Sequence, residues 1–245
     1  MAAVNPGSDN LIEWYTFDAV SMTAGDHAGK TLTLINTPTS SISGIVGRAI
    51  DFELTNSEYS FYNVAYSSSG FPYGDNAISI STWIKLESNA TNMDIVNGWG
   101  KDKSYWRLFS SPGTSDFTFQ TTDGVSNKYV NAGSSVTTGE WYHLVAWHDP
   151  IANEIGLVVN DGTPVTTSNS DGMTTDTDVD ARFSIGRMAV DAINNFCDAL
   201  VDEVAIFDDV IVGDEIEWLY NSGAGRGYAD LAETSTLVGN IIIIM

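Results

Sequence analysis

The fold is decided by residues 139–162, which read GEWYHLVAWHDPIANEIGLVVNDG. Apolar side chains occur on both parities between Trp141 and Trp147, which predicts a central strand covered on both faces. A second alternating run, residues 155–159, then leads into Asn160-Asp161-Gly162. Because Asn and Asp tolerate positive φ and Gly adopts it freely, this tripeptide predicts a hairpin turn between antiparallel strands.

The same pattern extends outward from this hairpin in both directions. Residues 78–86 place Ile, Thr or Leu at alternate positions, which predicts a strand with one face in the core. Residues 117–119 lead into a second turn at 122–124, and residues 201–207 predict another central strand. Many short strands with Gly, Asp and Asn turns between them predict an all-β fold, a two-sheet antiparallel jelly-roll sandwich.

One short helix interrupts this pattern near the C-terminus. Asp214 is placed to cap it, Ile216 and Leu219 form its apolar stripe, and Gly223 stops it. We expect this helix to plug one end of the sandwich. The predicted organisation is an N-terminal arm at residues 1–10, one domain over residues 11–231, and a C-terminal hydrophobic arm at residues 232–245.

Composition excludes several classes of partner. The chain has 245 residues with 32 acidic and 10 basic side chains, a formal net charge of -22. That charge repels phosphate backbones and anionic lipid, so we expect no nucleic acid partner and no membrane insertion. The single cysteine, Cys197, forms no disulfide within the chain. Residues 1–8 lack the basic start and apolar run of a signal peptide.

Four segments of the chain are distinctive. In chain order they are WYTFD at 14–18, GIVGRAIDF at 44–52, GEWYHLVA at 139–146 and LVDEVAIF at 200–207. They resemble the opening strand, the G-x-x-G-x-A-x-x-F segment, the G-x-W-x-H-x-A strand and the closing strand of the laminin G-like, concanavalin A-like jelly-roll family. The resemblance extends over about residues 11–231 and implies a sandwich of two antiparallel sheets. It does not imply one function, because this fold carries lectins, adhesion modules, glycosidases, lyases and structural parts.

The motifs of catalysis are missing from the sequence. Glycosidases of this fold commonly carry E-x-D-x-x-E, because two carboxylates must flank one glycosidic bond. Glu53 and Glu58 have the right outer spacing, but Thr55 stands between them, and the carboxylates at 214–217 fall on the predicted helix. The three histidines do not have zinc-site spacing, and no G-x-S-x-G motif occurs. We therefore predict no catalytic residues and no enzyme activity.

Calcium is the predicted cofactor. Asp202 shares its parity with Leu200, Val204 and Ile206, and a carboxylate among core residues is costly unless it is paired or metal-bound. In relatives of this fold a calcium ion often bridges the opening and closing strands. The resemblance therefore implies a site formed by Asp18, Asp26 and Asp202 with loop carbonyl oxygens. The alternative is that Asp202 accepts backbone or Arg hydrogen bonds without metal.

Aromatic residues near the middle of the chain suggest a glycan site. Aromatic rings in polar loops stack on sugar rings, while Asn and Asp bind hydroxyl groups. The predicted glycan-binding residues are Trp99, Asp102, Tyr105 and Trp106, with Asn97, Tyr129 and Asn131 as further candidates. The alternative is that these tryptophans pack between the sheets.

The C-terminal arm suggests an assembly role. Its run of Ile241, Ile242, Ile243 and Ile244 has high β-propensity and no charge. Burying each Ile contributes roughly 1.5–3 kcal/mol, so we expect the run to contact other particle subunits or another copy of the chain, with its own sandwich as the alternative. The favoured function is a non-catalytic phage virion surface protein, used for decoration or for attachment to host glycans. The alternative is a free-standing, extracellular carbohydrate-binding or adhesion module.

Overall fold

The computed structural model describes residues 3–41, 43–100, 104–112, 116–133, 135–175, 177–188 and 195–235. Within these ranges the strands are β1 (Leu11–Tyr15), β2 (Leu32–Ile35), β3 (Thr39–Ser41), β4 (Ala49–Phe52), β5 (Tyr59–Tyr62), β6 (Ile78–Leu86), β7 (Met93–Trp99), β8 (Ser104–Ser111), β9 (Asp116–Thr122), β10 (Asn127–Asn131), β11 (Trp141–Asp149), β12 (Glu154–Val159), β13 (Val165–Ser168), β14 (Arg182–Ile185) and β15 (Ala199–Phe207). Helix α1 spans Asp214–Tyr220, and 3-10 turns occupy Leu54–Asn56, Tyr66–Ser68, Asn221–Gly223 and Tyr228–Ser235.

These strands form two antiparallel sheets. Sheet 1 has the order β13-β12-β11-β6-β15-β4-β3, and β1 also pairs with β15. Sheet 2 has the order β10-β9-β8-β7-β14-β5-β2. The inner faces of the two sheets share one hydrophobic core, with residues such as Ile80, Leu144 and Phe119 fully buried. The predicted jelly-roll sandwich is confirmed.

The strands that alternation predicted occupy the expected places. β6 sends Ile78, Ile80, Ile84 and Leu86 into the core between the sheets. β11 is buried on both faces, because Leu144 enters that core while Val145 packs on the opposite side of the sheet. The β12–β13 hairpin turns at Asn160, whose φ of 58° is the left-handed conformation that the turn requires.

Helix α1 lies in a different place from the one predicted. Its Ile216 and Leu219 pack in a second hydrophobic cluster with Val145 and Trp147 of β11 and with Phe207 of β15. The helix therefore covers the outer face of sheet 1 and does not plug an end of the sandwich. Its N-cap is Gly213, so Asp214 is its first residue, and it ends at Asn221 in the left-handed conformation.

The N-terminal segment contacts this helical layer. The backbone N–H of Val4 donates to the carbonyl of Asp214 at 2.9 Å, and Asn5 Nδ2 donates to the carbonyl of Leu231 at 3.4 Å. The predicted domain boundaries stay a prediction, and the isoleucine run at 241–244 lies outside the described residues. Among the helices described, none is long and apolar enough to cross a membrane.

Candidate functional site

A row of polar side chains crosses the outer face of sheet 2. Arg107 of β8 pairs with Asn97 of β7 on one side and with Gln120 of β9 on the other. Cross-strand partners project from the same face of a sheet, so the row continues to Tyr129 of β10 and to Ser184 of β14. The neighbouring row points into the core: Val96, Leu108, Phe119, Val130 and Ile185. We call this surface the polar face; its residues are Asn97, Trp99, Arg107, Gln120 and Tyr129.

Arg107 is held in place by four neighbours. Its Nε donates to Gln120 Oε1 at 2.7 Å, and its Nη1 lies 3.5 Å from Asp94 Oδ1. Its guanidinium carbon lies 4.1 Å from the centroid of the Phe109 ring and 5.2 Å from that of Trp99. Such cation–π contacts favour a fixed guanidinium orientation.

Asp94 lies beneath Arg107 and is fully buried. Its Oδ2 accepts a hydrogen bond from Asn195 Nδ2 at 2.7 Å. Burial raises the pKa of the Asp94 carboxyl to about 6, and the nearby Arg107 charge opposes this rise only in part. Ionisation of the Asp94 carboxyl is therefore less favourable than in water.

Part of the polar face is covered by the segment that follows β14. The carbonyl of Arg187 accepts hydrogen bonds from Asn97 Nδ2 at 2.9 Å and from Ser184 Oγ at 2.8 Å. Met188 is buried, and its Sδ lies 3.8 Å from Arg107 Nη1. The accessible side chains of the face are therefore Trp99 at the end of β7, which is partly exposed, Arg107 of β8, and Tyr129 of β10, which is 44% exposed. These three side chains form the open part of the polar face.

The prediction of glycan binding is wrong for two of the four residues. Tyr105 and Trp106 are fully buried, so neither ring is available to a sugar. A β-bulge in β8 causes this, because Trp99 pairs with Ser104 and Gly98 pairs with Trp106, leaving Tyr105 as an extra residue. Both rings enter the core, where Trp106 Nε1 donates to the hydroxyl of Tyr66 at 2.7 Å. Trp99 lies on the polar face, and Asp102 lies outside the described residues.

Sequence reasoning did not select Arg107 or Gln120. The available signal was alternation: residues 118 and 120, and residues 107 and 109, have the parity opposite to that of Phe119 and Leu108. A polar or charged residue at such positions indicates the outer face of a sheet. Tyr129 was a further candidate from sequence, and it lies on this face.

A second group of polar side chains joins the first strand to the last. The predicted calcium residues Asp18 and Asp202 both bind the loop at 44–48. Asp202 Oδ2 accepts hydrogen bonds from the backbone of Ile45 at 2.8 Å and Val46 at 3.1 Å, and Asp18 Oδ1 accepts from Arg48 N at 2.7 Å. A Cβ at Gly47 would lie 2.0 Å from Asp18 Oδ1, so only glycine allows this approach.

The position of Asp202 differs from the parity prediction. β15 contains a bulge, because Asp202 pairs with Trp83 and Ala205 pairs with Ser81. Glu203 has a φ of 49° at this bulge. Asp202 is consequently on the outer face of sheet 1, opposite to Val204 and Ile206, although it is fully buried there. Sequence reasoning missed Glu203, whose Oε2 accepts a hydrogen bond from Trp14 Nε1.

The charges in this group repel one another. Burial raises the pKa of Asp202 to about 7, and the Asp18 carboxylate adds to the rise. Burial also raises the pKa of Glu203 well above its ordinary value, with contributions from Asp202, Asp18 and Asp26. The ion pairs found among the described residues do not include these carboxylates. Within that part of the chain, no Lys or Arg side chain forms an ion pair with Asp18, Asp202 or Glu203.

The group fits a cation by its charge. Glu203 Oε1 is buried and has no hydrogen-bond partner within the described part of the chain. Asp26 is hydrogen-bonded by Thr16, whose N and Oγ1 both lie 3.0 Å from its Oδ2. The three predicted carboxylates do not converge as tightly as another trio, Asp51, Glu53 and Glu87, whose ligand atoms lie within 4.8 Å of one another. A cation at the first group would therefore draw on backbone oxygens as well.

The histidines contact their structural neighbours. His143 is buried, its Nε2 lies 2.8 Å from Ser81 Oγ, and its ring stacks on Trp83 at 5.0 Å. Burial lowers the pKa of His143 to about 3, so it is neutral. His148 Nδ1 lies 2.9 Å from the carbonyl of Asn76, and His27 Nδ1 lies 3.3 Å from the Tyr228 hydroxyl.

Comparison with known proteins identifies relatives of the fold. The family model of the concanavalin A-like lectin/glucanases superfamily matches residues 58–217. Domain 4 of AbnA, a GH43 extracellular arabinanase from Geobacillus stearothermophilus solved in complex with arabinotriose, is similar with a TM-score of 0.63 and 15% identity, covering 89% of this chain and 98% of that chain. No curated protein matches the sequence.

Toxin binding domains share the fold as well. The binding domain of Paraclostridial Mosquitocidal Protein 1 is similar with a TM-score of 0.68 and 15% identity, over 88% of this chain and 53% of that one. The binding domain of botulinum neurotoxin serotype D gives 0.64 and 13%, over 89% and 53%. The chain thus spans about half the length of these toxin domains, and at such identities the likeness concerns the fold.

Proposed function

Because the chain belongs to the concanavalin A-like lectin/glucanase superfamily, we propose that it is a non-catalytic carbohydrate-binding domain. Its ligand lies against the open part of the polar face. The observation that carries this proposal is the placement of two accessible rings, Trp99 and Tyr129, on the same face as the fixed guanidinium of Arg107. Rings of this kind stack on sugars, and fixed polar groups orient their hydroxyls.

The absence of catalysis is part of the proposal. Glycoside hydrolysis needs two carboxyl groups on either side of the scissile bond. In the described part of the chain, Asp94 is the carboxylate paired with Arg107, and it is buried with its oxygens directed to Arg107 and Asn195. A carboxyl group in such surroundings does not reach a glycosidic oxygen, so we expect binding without turnover.

A glycan array tests this proposal. The full chain should bind a set of glycans, and Trp99→Ala and Tyr129→Ala should each weaken binding at least ten-fold, which corresponds to about 1.4 kcal/mol. Trp218→Ala is the matched control, because Trp218 is also partly buried but lies on helix α1, on the other side of the sandwich. Binding that survives both substitutions, or no binding to any glycan, would contradict the proposal.

Calcium at the carboxylate group is the second part of the proposal. Asp18, Asp26, Asp202 and Glu203 would hold the ion together with backbone oxygens. The support is the orphaned Glu203 Oε1 and the mutual repulsion of the carboxylates. A divalent cation would neutralise this repulsion and tie the segment that follows β1 to β15 through Asp18 and Asp202.

Thermal melting with and without chelator tests the calcium site. At a calcium concentration 100 times the Kd, binding stabilises the native state by about 2.7 kcal/mol, and chelator should remove this gain. Asp202→Asn should abolish the difference, whereas Asp161→Asn, which changes an exposed carboxylate on the β12–β13 hairpin, should preserve it. Equal melting temperatures for the wild-type chain in both buffers would refute the calcium site.

A further inference from the structure

We infer that the glycan bound at the polar face carries a carboxylate, and that Nη2 of Arg107 binds it. This inference rests on the proposed function, since it names the class of glycan for the same site. The class is an otherwise neutral glycan with a single acidic sugar, such as a uronic or a sialic acid.

Arg107 is fixed through two of its three side-chain nitrogens. Nε is bound to Gln120, and Nη1 contacts Asp94 and Met188. Nη2 makes no hydrogen bond to any residue that the structure describes, and the side chain retains 15% exposure. An arginine held by a side-chain amide and two rings is preorganised, so it loses little freedom when it binds a carboxylate.

Asp94 neutralises the charge of Arg107 only in part. The pair is joined through a single contact of 3.5 Å, which is long for a charge-assisted hydrogen bond. Asp94 also receives Asn195, and its burial disfavours the ionised form. Asp116 has the same parity on β9, but its Oδ2 binds the backbone of Gly133 at 2.6 Å. The positive charge of Arg107 is therefore only partly neutralised within the protein, and it can attract a negatively charged ligand.

The neighbouring cations Lys128 and Arg182 contact other parts of the protein. Lys128 of β10 forms an ion pair with Asp171 at 3.0 Å. Nη1 of Arg182, the residue paired with Trp99, donates to the carbonyls of Val179 and Ala181. Of these three cations, Arg107 is the one whose guanidinium is fixed on the polar face by a side-chain amide and two aromatic rings while its Nη2 lacks a hydrogen bond to the described residues.

The net charge of the chain limits the number of negative charges that the ligand can carry. The chain has a formal net charge of -22, so a polyanion such as a sulfated polysaccharide is repelled on approach. One carboxylate opposite one guanidinium gains a local charge-assisted contact while keeping this long-range repulsion small. A single acidic sugar meets both conditions.

Calorimetry with matched probes tests the inference on the wild-type chain. The probes are a galacturonic acid oligosaccharide with one free carboxylate and its methyl ester, and sialyllactose and its methyl ester. At least one free acid should bind ten-fold or more tightly than its ester. If neutral glycans bind on the array and both acids bind no better than their esters, the inference is wrong and the proposed function stands. If no glycan of any kind binds, the proposed function fails first.

An arginine variant tests the assigned residue. Arg107→Gln should bind acid and ester equally, because it removes the charge but keeps a donor amide. Arg182→Gln is the control, because it removes a neighbouring positive charge whose Nη1 is bound to backbone carbonyls, and it should keep the preference for the acid. A preference that persists in Arg107→Gln would assign the carboxylate to another residue. Since the comparison of acid with ester uses the wild-type chain, a failure of the variant to fold does not affect it.

Discussion

Substitution of Glu13 by Gln should destabilise the domain, because this side chain anchors the loop between β1 and β2. Glu13 is fully buried and accepts four backbone hydrogen bonds. Its Oε1 binds the N–H groups of Trp14, His27 and Ala28 at 3.0, 2.8 and 3.1 Å, and its Oε2 binds that of Lys30 at 2.8 Å. Gly25 completes the arrangement, since a Cβ there would lie 2.4 Å from the carboxylate.

The magnitude follows from the hydrogen bonds lost. A glutamine keeps one acceptor oxygen and directs an NH₂ group at N–H donors on the other side, so one to three of the four bonds are lost. Hydrogen bonds to a charged group contribute about 1.5–3 kcal/mol each, and we expect a total loss of about 3 kcal/mol. For a domain of this size each kcal/mol lowers Tm by about 2–4 °C, which gives a decrease of roughly 6–12 °C.

Denaturant and thermal unfolding measure this effect. Glu140→Gln is the matched control, because Glu140 is exposed, and it should change the free energy of unfolding by less than about 0.5 kcal/mol. Amide exchange should also rise at residues 27–30 in Glu13→Gln. A variant within 0.5 kcal/mol of the wild type, with unchanged exchange in this loop, would refute the anchoring role.

Two further predictions concern pH and assembly. The pKa of Asp94 is raised from 3.8 to about 6 in the folded state, so its contribution to stability is fully present below about pH 4 and is lost as pH rises through about 6. The loss is about 3 kcal/mol between pH 4 and 7, and Asp94→Asn should flatten the stability profile by that amount, whereas parallel profiles would contradict the shift. A chain shortened to end at Leu231 should fold with an unchanged Tm and lose the association expected from Ile241–Ile244, as measured by light scattering. An unfolded or insoluble product would instead show that the arm packs on its own sandwich. A full-length chain that is already monomeric would contradict self-association. The placement on a virion stays a prediction.

The sheets were predictable from sequence where burial imposes a simple pattern. β6 is read from alternation, because one of its faces lies in the core between the sheets. β11 is read from its continuous apolar run, because helix α1 covers its outer face. The stripe of Ile216 and Leu219 predicts that this helix packs, but it does not say on which surface. The helix therefore was predicted correctly and its position was not.

The candidate sites were less predictable, because a single extra residue reverses the parity of everything that follows it. Tyr105 is such a residue in β8, and it exchanges the faces expected for Trp106 and Arg107. No local pattern in Ser104-Tyr105-Trp106 distinguishes a bulge from regular strand. The carbonyl of Arg187 covers Asn97 through a hydrogen bond between residues far apart in the sequence. No pattern in the sequence predicts this contact.

The two bulges have the same physical consequence, since each moves a charged side chain out of the core between the sheets. With regular alternation from Ser104, Arg107 would point inward; the extra Tyr105 instead sends two aromatic rings into the core and leaves Arg107 on the polar face. With regular alternation from Asp202, Glu203 would point inward; its left-handed φ turns its carboxylate to Trp14 on the outer side, and Val204 returns to the core. A non-glycine residue in this conformation costs about 1 kcal/mol or more, and the strand retains it because an unpaired carboxylate between the sheets would cost more. The charges at both proposed sites therefore owe their positions to the irregularities that alternation does not reveal.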